Sequence, residues 1–191
     1  MLNIILFGPP GAGKGTQSAK LIDKYNLTHI ATGDLFRMHL GEGTPLGLKA
    51  KEYMNEGLLV PDSIVIGMVE EKIATTPDPK GFIFDGFPRT VAQAEALDSM
   101  MSRNGMSING MIALEVPDQE LKVRIAERGK TSGRVDDQDP AKIEKRIQVY
   151  KDETLPVANY YDKKGKFVSI NGVGSIEDIF FRIIHEIDKL S

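Results

Sequence analysis

The distribution of apolar positions along the chain predicts strands that alternate with helices. Five short apolar runs, each of a length typical of a buried strand, are followed by longer stretches in which apolar residues recur with helical spacing. These runs cover residues 2–7, 29–31, 82–84, 111–116 and 167–170. Strands that alternate with helices form βαβ units, so we expect an α/β fold in which a five-stranded parallel sheet carries helices on both faces.

Two helix starts can be read directly from the sequence. Asp139 followed by Pro140 predicts an N-cap and a proline at the first helical position. Ser175 is expected to begin the last helix, with Glu177 and Asp178 suited to its positive N-terminus. The apolar positions of that helix are spaced for burial, and they are Ile176, Ile179, Phe180, Ile183, Ile184 and Ile187.

Two segments do not follow the alternation of strand and helix. Residues 32–61 predict helices with no strand between them, and residues 129–138 are polar and include Gly129 and Gly133. We expect each segment to form a mobile flap on the sheet.

The most specific motif is GPPGAGKGT at residues 8–16, directly after the first predicted strand and before a helical stretch. Glycines allow backbone N–H groups to surround phosphate oxygens, the helix N-terminus adds a positive dipole end, and Lys14 supplies an ammonium. The motif departs from the form GxxxxGK[ST], because Gly15 follows the lysine and the hydroxyl comes at Thr16. A ligand-free turn is the alternative, and a dinucleotide fingerprint fits poorly because Thr16 stands where it requires glycine.

Composition and charge restrict the class of protein further. The 191 residues carry a formal net charge of −3 and 41% hydrophobic residues, which predicts one domain with a proper core and no nucleic-acid partner. With no cysteine, the chain has no disulfide, no thiol nucleophile and no Cys-ligated zinc. The first apolar run is too short for a membrane span and lacks the basic n-region of a signal peptide. We therefore expect a cytoplasmic protein without a membrane partner, and a monomer.

The phosphate loop and four later motifs resemble those of the adenylate kinase family of nucleoside monophosphate kinases. The later motifs, in the order typical of the family, are TGDLFR at 32–37, GLLVPD at 57–62, FDGFPRT at 84–90 and RVDD at 134–137. The resemblance implies the reaction Mg-ATP + AMP ⇌ 2 ADP. It also implies a single P-loop kinase domain over residues 1–191, of the type found in P-loop nucleoside triphosphate hydrolases. An AMP-binding flap at 32–60 and a short lid at 129–138 would be its inserts.

The resemblance also implies roles for individual residues. Family members often have a longer lid that holds zinc through cysteines, and this chain has neither, so we expect Mg²⁺ and no zinc. The catalytic residues would be Lys14, Arg89, Arg124, Arg128, Arg134 and Arg146. ATP would be bound by Gly11, Ala12, Gly13, Lys14, Gly15, Thr16, Arg128 and Gly174. AMP would be bound by Thr32, Arg37, Leu58, Leu59, Val60, Gly86, Phe87, Pro88, Arg89, Gln93, Arg134 and Arg146.

Phosphoryl transfer between two nucleotides is mainly a problem of charge. The acceptor phosphate is already an anion, so the enzyme must hold two repelling groups in line, neutralise them and exclude water. Arginine suits this task because its planar fork binds phosphate oxygens in pairs. Of the eight arginines, only Arg103 and Arg182 fall outside the family positions. Arg124 and Arg128 lie four residues apart on a predicted helix. Their alternative interpretation is that each is a solvated charge on the helix surface.

Three aspartates are further candidates. Asp85 ends a predicted strand and resembles the carboxylate that holds Mg²⁺, often through water, in phosphate-loop enzymes, although a carboxylate that caps a loop is the alternative. Asp136 and Asp137 have two open interpretations. They either bind arginines when the lid closes or are polar residues ahead of the next helix.

Base choice and rival functions are left partly open by the sequence. Thr32 and Gln93 resemble the AMP pattern, whereas kinases of UMP and CMP typically have Ala and Asn there, and GTP stays open as donor. A regulatory module that binds ATP without turnover would need the phosphate loop but not the second nucleotide site. A small GTPase would need an NKxD motif, which the sequence lacks. We therefore expect ATP, AMP and ADP as the ligands.

Overall fold

A computed structural model describes residues 1–190 and contains the expected parallel sheet. All neighbouring strands run parallel, in the order β2-β3-β1-β4-β5. Each strand lies within one residue of the apolar run that predicted it, so the α/β fold class is confirmed. The strands are β1 (Leu2–Phe7), β2 (Thr28–Ala31), β3 (Gly81–Asp85), β4 (Gly110–Glu115) and β5 (Phe167–Asn171).

Helices connect the strands and cover both faces of the sheet. A 3-10 turn at Val135–Asp137 precedes α7, and a π turn at Tyr150–Thr154 follows it. The α-helices are α1 (Lys14–Tyr25), α2 (Thr32–Gly41), α3 (Pro45–Asn55), α4 (Asp62–Ala74), α5 (Val91–Arg103), α6 (Asp118–Gly129), α7 (Pro140–Val149), α8 (Pro156–Asp162) and α9 (Ile176–Asp188).

The buried side chains form two hydrophobic cores, one on each face of the sheet. Successive strand residues point to opposite faces, so Ile5 and Phe7 of β1 join one core while Ile4 and Leu6 join the other. The first core also contains residues of α2, α3, α4, α5 and α8, and the second contains residues of α1, α6, α7 and α9.

The predicted helix starts are confirmed, with one correction. The Asp139 side chain accepts a hydrogen bond from the N–H of Ala141, and Ser175 accepts one from the N–H of Asp178. Ile176, predicted to be buried, is 52% exposed. Its backbone carbonyl accepts a hydrogen bond from Gln17, and the buried face of α9 begins one turn later, at Ile179.

The two irregular segments fold as short helical inserts. Residues 32–60 contain α2 and α3 and no strand, as predicted. Thr44 caps α3, and Gly47 brings α3 so close to α2 that a Cβ there would lie 2.3 Å from the carbonyl carbon of His39. Residues 129–138 contain the 3-10 turn, in which Asp137 is buried. Within residues 1–190, no helix is both long and apolar enough to cross a membrane.

Candidate active site

A cavity of about 650 Å³ lies at the carboxyl ends of the central strands. The phosphate loop follows β1 here, and Asp85 and the FDGFPRT motif end β3. Ligands of open parallel sheets bind at this edge, where helices can cross to either face. The flap helices and the segment after α6 form the remaining walls, so the cavity lies between the sheet and the two inserts.

The phosphate loop has the backbone shape that an anion cradle requires. Gly11 and Gly13 adopt positive φ angles of 82° and 94°, which turn the chain sharply before α1 begins at Lys14. At Gly11 a Cβ would also lie 2.7 Å from Cγ1 of Ile125, so the loop packs tightly on α6. The free N–H groups at the start of α1 therefore face the cavity with the positive end of the helix dipole.

The side chain of Lys14 folds back onto this loop. Its Nζ donates hydrogen bonds to the carbonyl oxygens of Gly8, at 2.8 Å, and Pro9, at 3.0 Å. Burial, together with the positive charges of nearby arginines, lowers its pKa to about 8, although the carboxylate of Asp85 acts in the opposite direction. The ammonium is thus held where an anion would stabilise it.

Asp85 lies opposite Lys14 at the end of β3. Its Oδ2 is 3.4 Å from the hydroxyl of Ser18 and 3.7 Å from Nε2 of His29. Burial alone would raise the pKa of Asp85, but the His29 ring and the charge of Lys14 outweigh it and hold the pKa below the usual range. The carboxylate is therefore ionised at neutral pH.

These residues fit a magnesium ion that is held mainly by its substrate. No group of three or more acidic or histidine side chains within residues 1–190 could hold a metal by itself. Mg²⁺ usually keeps waters and binds through one or two carboxylates and the phosphates of a nucleotide. One ionised carboxylate, Asp85, and the hydroxyl of Thr16 on the same cavity wall meet that requirement.

Six arginines line the cavity, and they are the six that the sequence picked out. They come from the flap, from the loop after β3, from α6, from the lid segment and from α7, so five separate parts of the chain converge here. They are Arg37, Arg89, Arg124, Arg128, Arg134 and Arg146. The other two arginines bind elsewhere, Arg103 to Glu70 and Arg182 to the carbonyls of Asn171 and Val173.

Aspartates hold several of these arginines in place. Asp137 accepts hydrogen bonds from Nε and Nη2 of Arg128, at 2.6 and 2.8 Å, and from Nη1 of Arg146, at 2.7 Å. Burial alone would raise the pKa of Asp137, but the two guanidinium groups lower it. Asp136 lies 2.9 Å from the same Arg146 atom. Of the two open interpretations of these aspartates, contact with arginines is the one observed.

The flap and the lid segment meet across the cavity. Asp34 of α2 pairs with Arg37 of the same helix and lies 3.8 Å from Nη2 of Arg134, which precedes the 3-10 turn. Partial burial and the charges of Arg37 and Arg128 lower the pKa of Arg134. This wall therefore carries an excess of positive charge that favours an anionic ligand.

Arg89 lines the cavity, and hydrogen bonds hold both its side chain and its backbone. Its Nε donates to the carbonyl of Gly86 at 2.7 Å, and its N–H donates to Oε1 of Gln93 at 2.7 Å. Removal from bulk water and the charges of Arg146 and Arg37 lower its pKa to about 10. It remains a cation at neutral pH.

The two residues predicted to select AMP are both buried on the cavity wall. Gln93 donates from Nε2 to Oδ1 of Asp62 at 2.8 Å, and Thr32 donates to the carbonyl of Gly86 at 2.8 Å. The amide of Gln93 therefore connects α5 to the start of α4 and to the loop that carries Arg89.

Nearly all predicted site residues line this one cavity. Ala12 and Gly174 do not. Ala12 is buried behind the loop, where its carbonyl lies 3.5 Å from Nη1 of Arg124. Gly174 is exposed in the loop between β5 and α9, with φ at 128°. Its contact with a nucleotide stays a prediction from the family resemblance.

Sequence reasoning missed the apolar part of the wall. Motifs reveal phosphate-binding groups, whereas apolar contacts look like ordinary core positions until the chain is folded. For the π turn a signal was available, because Pro156 interrupts a helical pattern. The residues missed include Phe36, Met54, Val65, Val149, Tyr150 and Thr154.

The cavity at the edge of the parallel sheet combines a phosphate loop with a wall lined by arginines. Together these features define a P-loop phosphotransferase. The family model described as adenylate kinase matches residues 6–166. The chain belongs to the adenylate kinase family, and it is an enzyme that transfers phosphate between nucleotides.

Relatives match over the whole chain. A protein of Flavobacterium psychrophilum named adenylate kinase is 50% identical over 190 residues, with 100% of both chains covered. One of Bacteroides thetaiotaomicron with the same name is 47% identical, again with 100% of both covered. One of Xanthomonas campestris pv. campestris is 47% identical over 182 residues, which cover 95% of this chain and 97% of the relative.

Proposed function

We propose that this chain catalyses the reversible transfer of the γ-phosphoryl group of Mg-ATP to AMP, which gives two ADP. The observation that carries the proposal is the cavity in which one phosphate loop faces six arginines from five parts of the chain. A protein that only binds ATP has no use for the arginines of the flap, whereas a transferase must neutralise two nucleotides at once.

The cavity has room for one phosphate chain on each side. The donor phosphates would lie against the N–H groups of residues 11–16 and the ammonium of Lys14, with Arg128 beside them. The acceptor phosphate would lie on the opposite wall, between Arg37 and Arg89. The neighbouring backbone of Leu58, Leu59 and Val60 and the segment of Gly86, Phe87 and Pro88 would enclose the rest of the acceptor.

The chemical step needs positioning more than proton transfer. An oxygen of the acceptor phosphate attacks the γ-phosphorus, a new P–O bond forms, and the bond to the β-phosphate oxygen breaks, so that oxygen leaves as part of ADP. Lys14, Arg134 and Arg146 would hold the transferring group and neutralise charge on its oxygens. Arg124, held by Glu120 and by the carbonyl of Gly172, would keep the donor wall in place.

Magnesium, when bound, would neutralise part of the charge on the phosphate oxygens. Asp85 would hold it through an intervening water, and the hydroxyl of Thr16 faces the same space. Lys14 helps by keeping that carboxylate ionised.

The two inserts would act as moving parts around a single P-loop kinase domain. Residues 32–60 would be the AMP-binding flap and residues 129–138 the short lid. The contact between Asp34 and Arg134 supports this, because it joins the two inserts over the cavity. Closure would keep out water, which would otherwise accept the phosphoryl group. That the protein is a monomer and cytoplasmic stays a prediction from the sequence.

Adenine is the base we propose for the acceptor. Thr32 and Gln93 lie on the acceptor wall, and the amide of Gln93, already bonded to Asp62 and to the N–H of Arg89, retains one N–H and one lone pair for a base. For the donor we propose ATP, with its adenine near Gly174, on the family resemblance alone.

The test is a coupled assay of the purified protein with Mg-ATP and each of AMP, CMP, UMP and GMP. We expect ADP to form with AMP, and this activity to disappear when magnesium is chelated. Preference for a pyrimidine nucleotide would overturn the assignment of Thr32 and Gln93 but not the transfer. ATP binding without turnover on any acceptor would overturn the proposed function as a whole.

A further inference from the structure

The π turn at Tyr150–Thr154 joins α7 to α8 and has an identifiable cause. The N–H of Leu155 donates to the carbonyl of Tyr150, five residues earlier, at 2.8 Å. Pro156, which follows, has no N–H, and in an α-helix its ring would clash with the carbonyl four residues back. The wider turn relieves that clash, and such turns are frequent at functional sites.

The turn changes which side chains face the cavity. In an α-helix every four residues advance about 40° beyond a full turn, so Thr154 would point about 80° away from Arg146. A π turn rotates less per residue and brings Thr154 back toward the direction of Arg146. Arg146, Tyr150 and Thr154 accordingly all line the cavity.

Thr154 presents a hydroxyl without a protein partner. Its side chain is only 6% exposed, yet it lies on the cavity wall. Within residues 1–190, no hydrogen bond joins this hydroxyl to another residue. This hydroxyl is therefore available to pair with a polar group that binds in the cavity, and the pairing would contribute free energy to binding.

The position of the turn indicates which nucleotide it faces. The ring of Tyr150 packs on Phe7 with their centroids 5.6 Å apart, and both belong to the first core. Phe36, Val65 and Phe87, which line the acceptor wall, belong to the same core. The donor loop instead packs on the second core through Ala12.

We propose that Thr154 is a specificity residue whose hydroxyl hydrogen-bonds a neutral polar group on the sugar or base of the acceptor nucleotide. This inference rests on the proposed function, because it concerns the acceptor half of the same cavity. Pro156 and the π turn place the hydroxyl, and Tyr150 supplies the apolar wall beside it.

The test compares two substitutions that separate the hydroxyl from the shape of the side chain. Thr154→Val keeps the shape and removes the hydroxyl, so we expect the KM for AMP to rise about 3- to 10-fold, the effect of one lost hydrogen bond. The KM for ATP should change less than about twofold. Thr154→Ser keeps the hydroxyl and should recover most of the affinity for AMP. Thr76→Val, which removes a surface hydroxyl bound to the carbonyl of Lys72, is the matched control.

Assays with deoxynucleotides identify which group of AMP the Thr154 hydroxyl binds. If the contact is to a ribose hydroxyl, the penalty of Thr154→Val disappears with 2′-deoxy-AMP or 3′-deoxy-AMP, and if it is to the base, the penalty persists with both. An unchanged KM for AMP in Thr154→Val, or an equal rise in both KM values, would overturn the inference. Lack of ADP formation by the unsubstituted protein would instead overturn the proposed function.

Discussion

Lys14 carries its charge in a place where a charge is costly. Burial lowers its pKa from 10.5 to about 8, and only two loop carbonyls and Asp85 offset that cost. A strongly shifted group in a cavity is typical of a functional site. The ammonium that we propose for phosphate binding therefore weakens the free protein.

Replacing this lysine should separate activity from stability. We expect Lys14→Met to lower kcat at least about 100-fold, because a preorganised positive charge at the transferring group is lost. Below pH 8 the lysine is charged in both the folded and the unfolded chain, so only the folded state bears the burial cost. The free energy of unfolding at pH 7 should therefore rise. Assays and denaturant titration measure the two effects.

The control for this prediction is Lys20→Met, which removes a surface lysine that pairs with Glu177. It should leave kcat within about twofold, since exposed ion pairs contribute little. Activity of Lys14→Met close to that of the unsubstituted protein would contradict the phosphate-loop assignment.

The lowered pKa of Lys14 also predicts a pH dependence. In the free protein the ammonium loses its proton as the pH rises through about 8, whereas bound phosphates favour the charged form. The KM for ATP should therefore rise between pH 8 and 9.5, by up to about tenfold per pH unit. Phosphate groups have a second pKa near 6 and are fully ionised throughout this range. A KM for ATP that stays flat from pH 7 to 9.5 would count against the interpretation.

At the scale of elements, the loop between β5 and α9 is braced by side chains from three helices. Nη1 of Arg182 donates to the carbonyls of Asn171 and Val173, at 2.7 and 2.8 Å. Arg124 donates to the carbonyl of Gly172 at 3.2 Å, and Gln17 donates to that of Ile176 at 3.0 Å. A loop whose carbonyls are held in this way can present its backbone to a ligand without prior ordering.

Weakening the hydrogen bonds that hold this loop should affect the binding of the donor nucleotide alone. We expect Arg182→Ala to raise the KM for ATP about 3- to 10-fold, because two hydrogen bonds to the loop are lost. The KM for AMP should stay within about twofold, as the acceptor wall belongs to other elements. Arg103→Ala, which breaks only a surface pair with Glu70, is the control. Equal effects of Arg182→Ala on both nucleotides would contradict the placement of ATP near Gly174.

The sequence predicted the elements better than the contacts between them. Strands and N-caps depend on local patterns, which is why Asp139 and Ser175 were correct. Ile176 was wrong because helical spacing identifies a face but not the residue at which that face first meets the core. The contacts of Asp137 with Arg128 and Arg146 were left open, since a spacing of nine residues does not fix whether two side chains meet.

At the scale of the whole molecule, residues 32–60, which we propose as the flap, form a helical segment built on the sheet. Its two helices pack on each other through Gly47, where even a methyl group would collide with the backbone of His39. Phe36 and Ala50 connect the flap to the first core. Damage to the helix contact should therefore disturb the acceptor site before it disturbs the sheet.

Two glycine substitutions test this separation. Gly47→Ala should force α2 and α3 apart and raise the KM for AMP at least about 10-fold, with the KM for ATP within about twofold. Gly41→Ala adds the same methyl group in the same insert, where it meets nothing within 4 Å, and should be neutral or slightly stabilising. A large fall in the midpoint of the main unfolding transition in Gly47→Ala, measured by circular dichroism, would contradict the independence of flap and sheet.

The two cores on opposite faces of the sheet have a consequence for how this enzyme can change. The wall that we propose for the acceptor rests on the first core, and the phosphate loop rests on the second. Substitutions that adapt one wall to a new base therefore leave the packing behind the other wall intact, because distant sites contribute additively to stability. Libraries that vary one face at a time should yield enzymes with altered acceptors that still use the original donor.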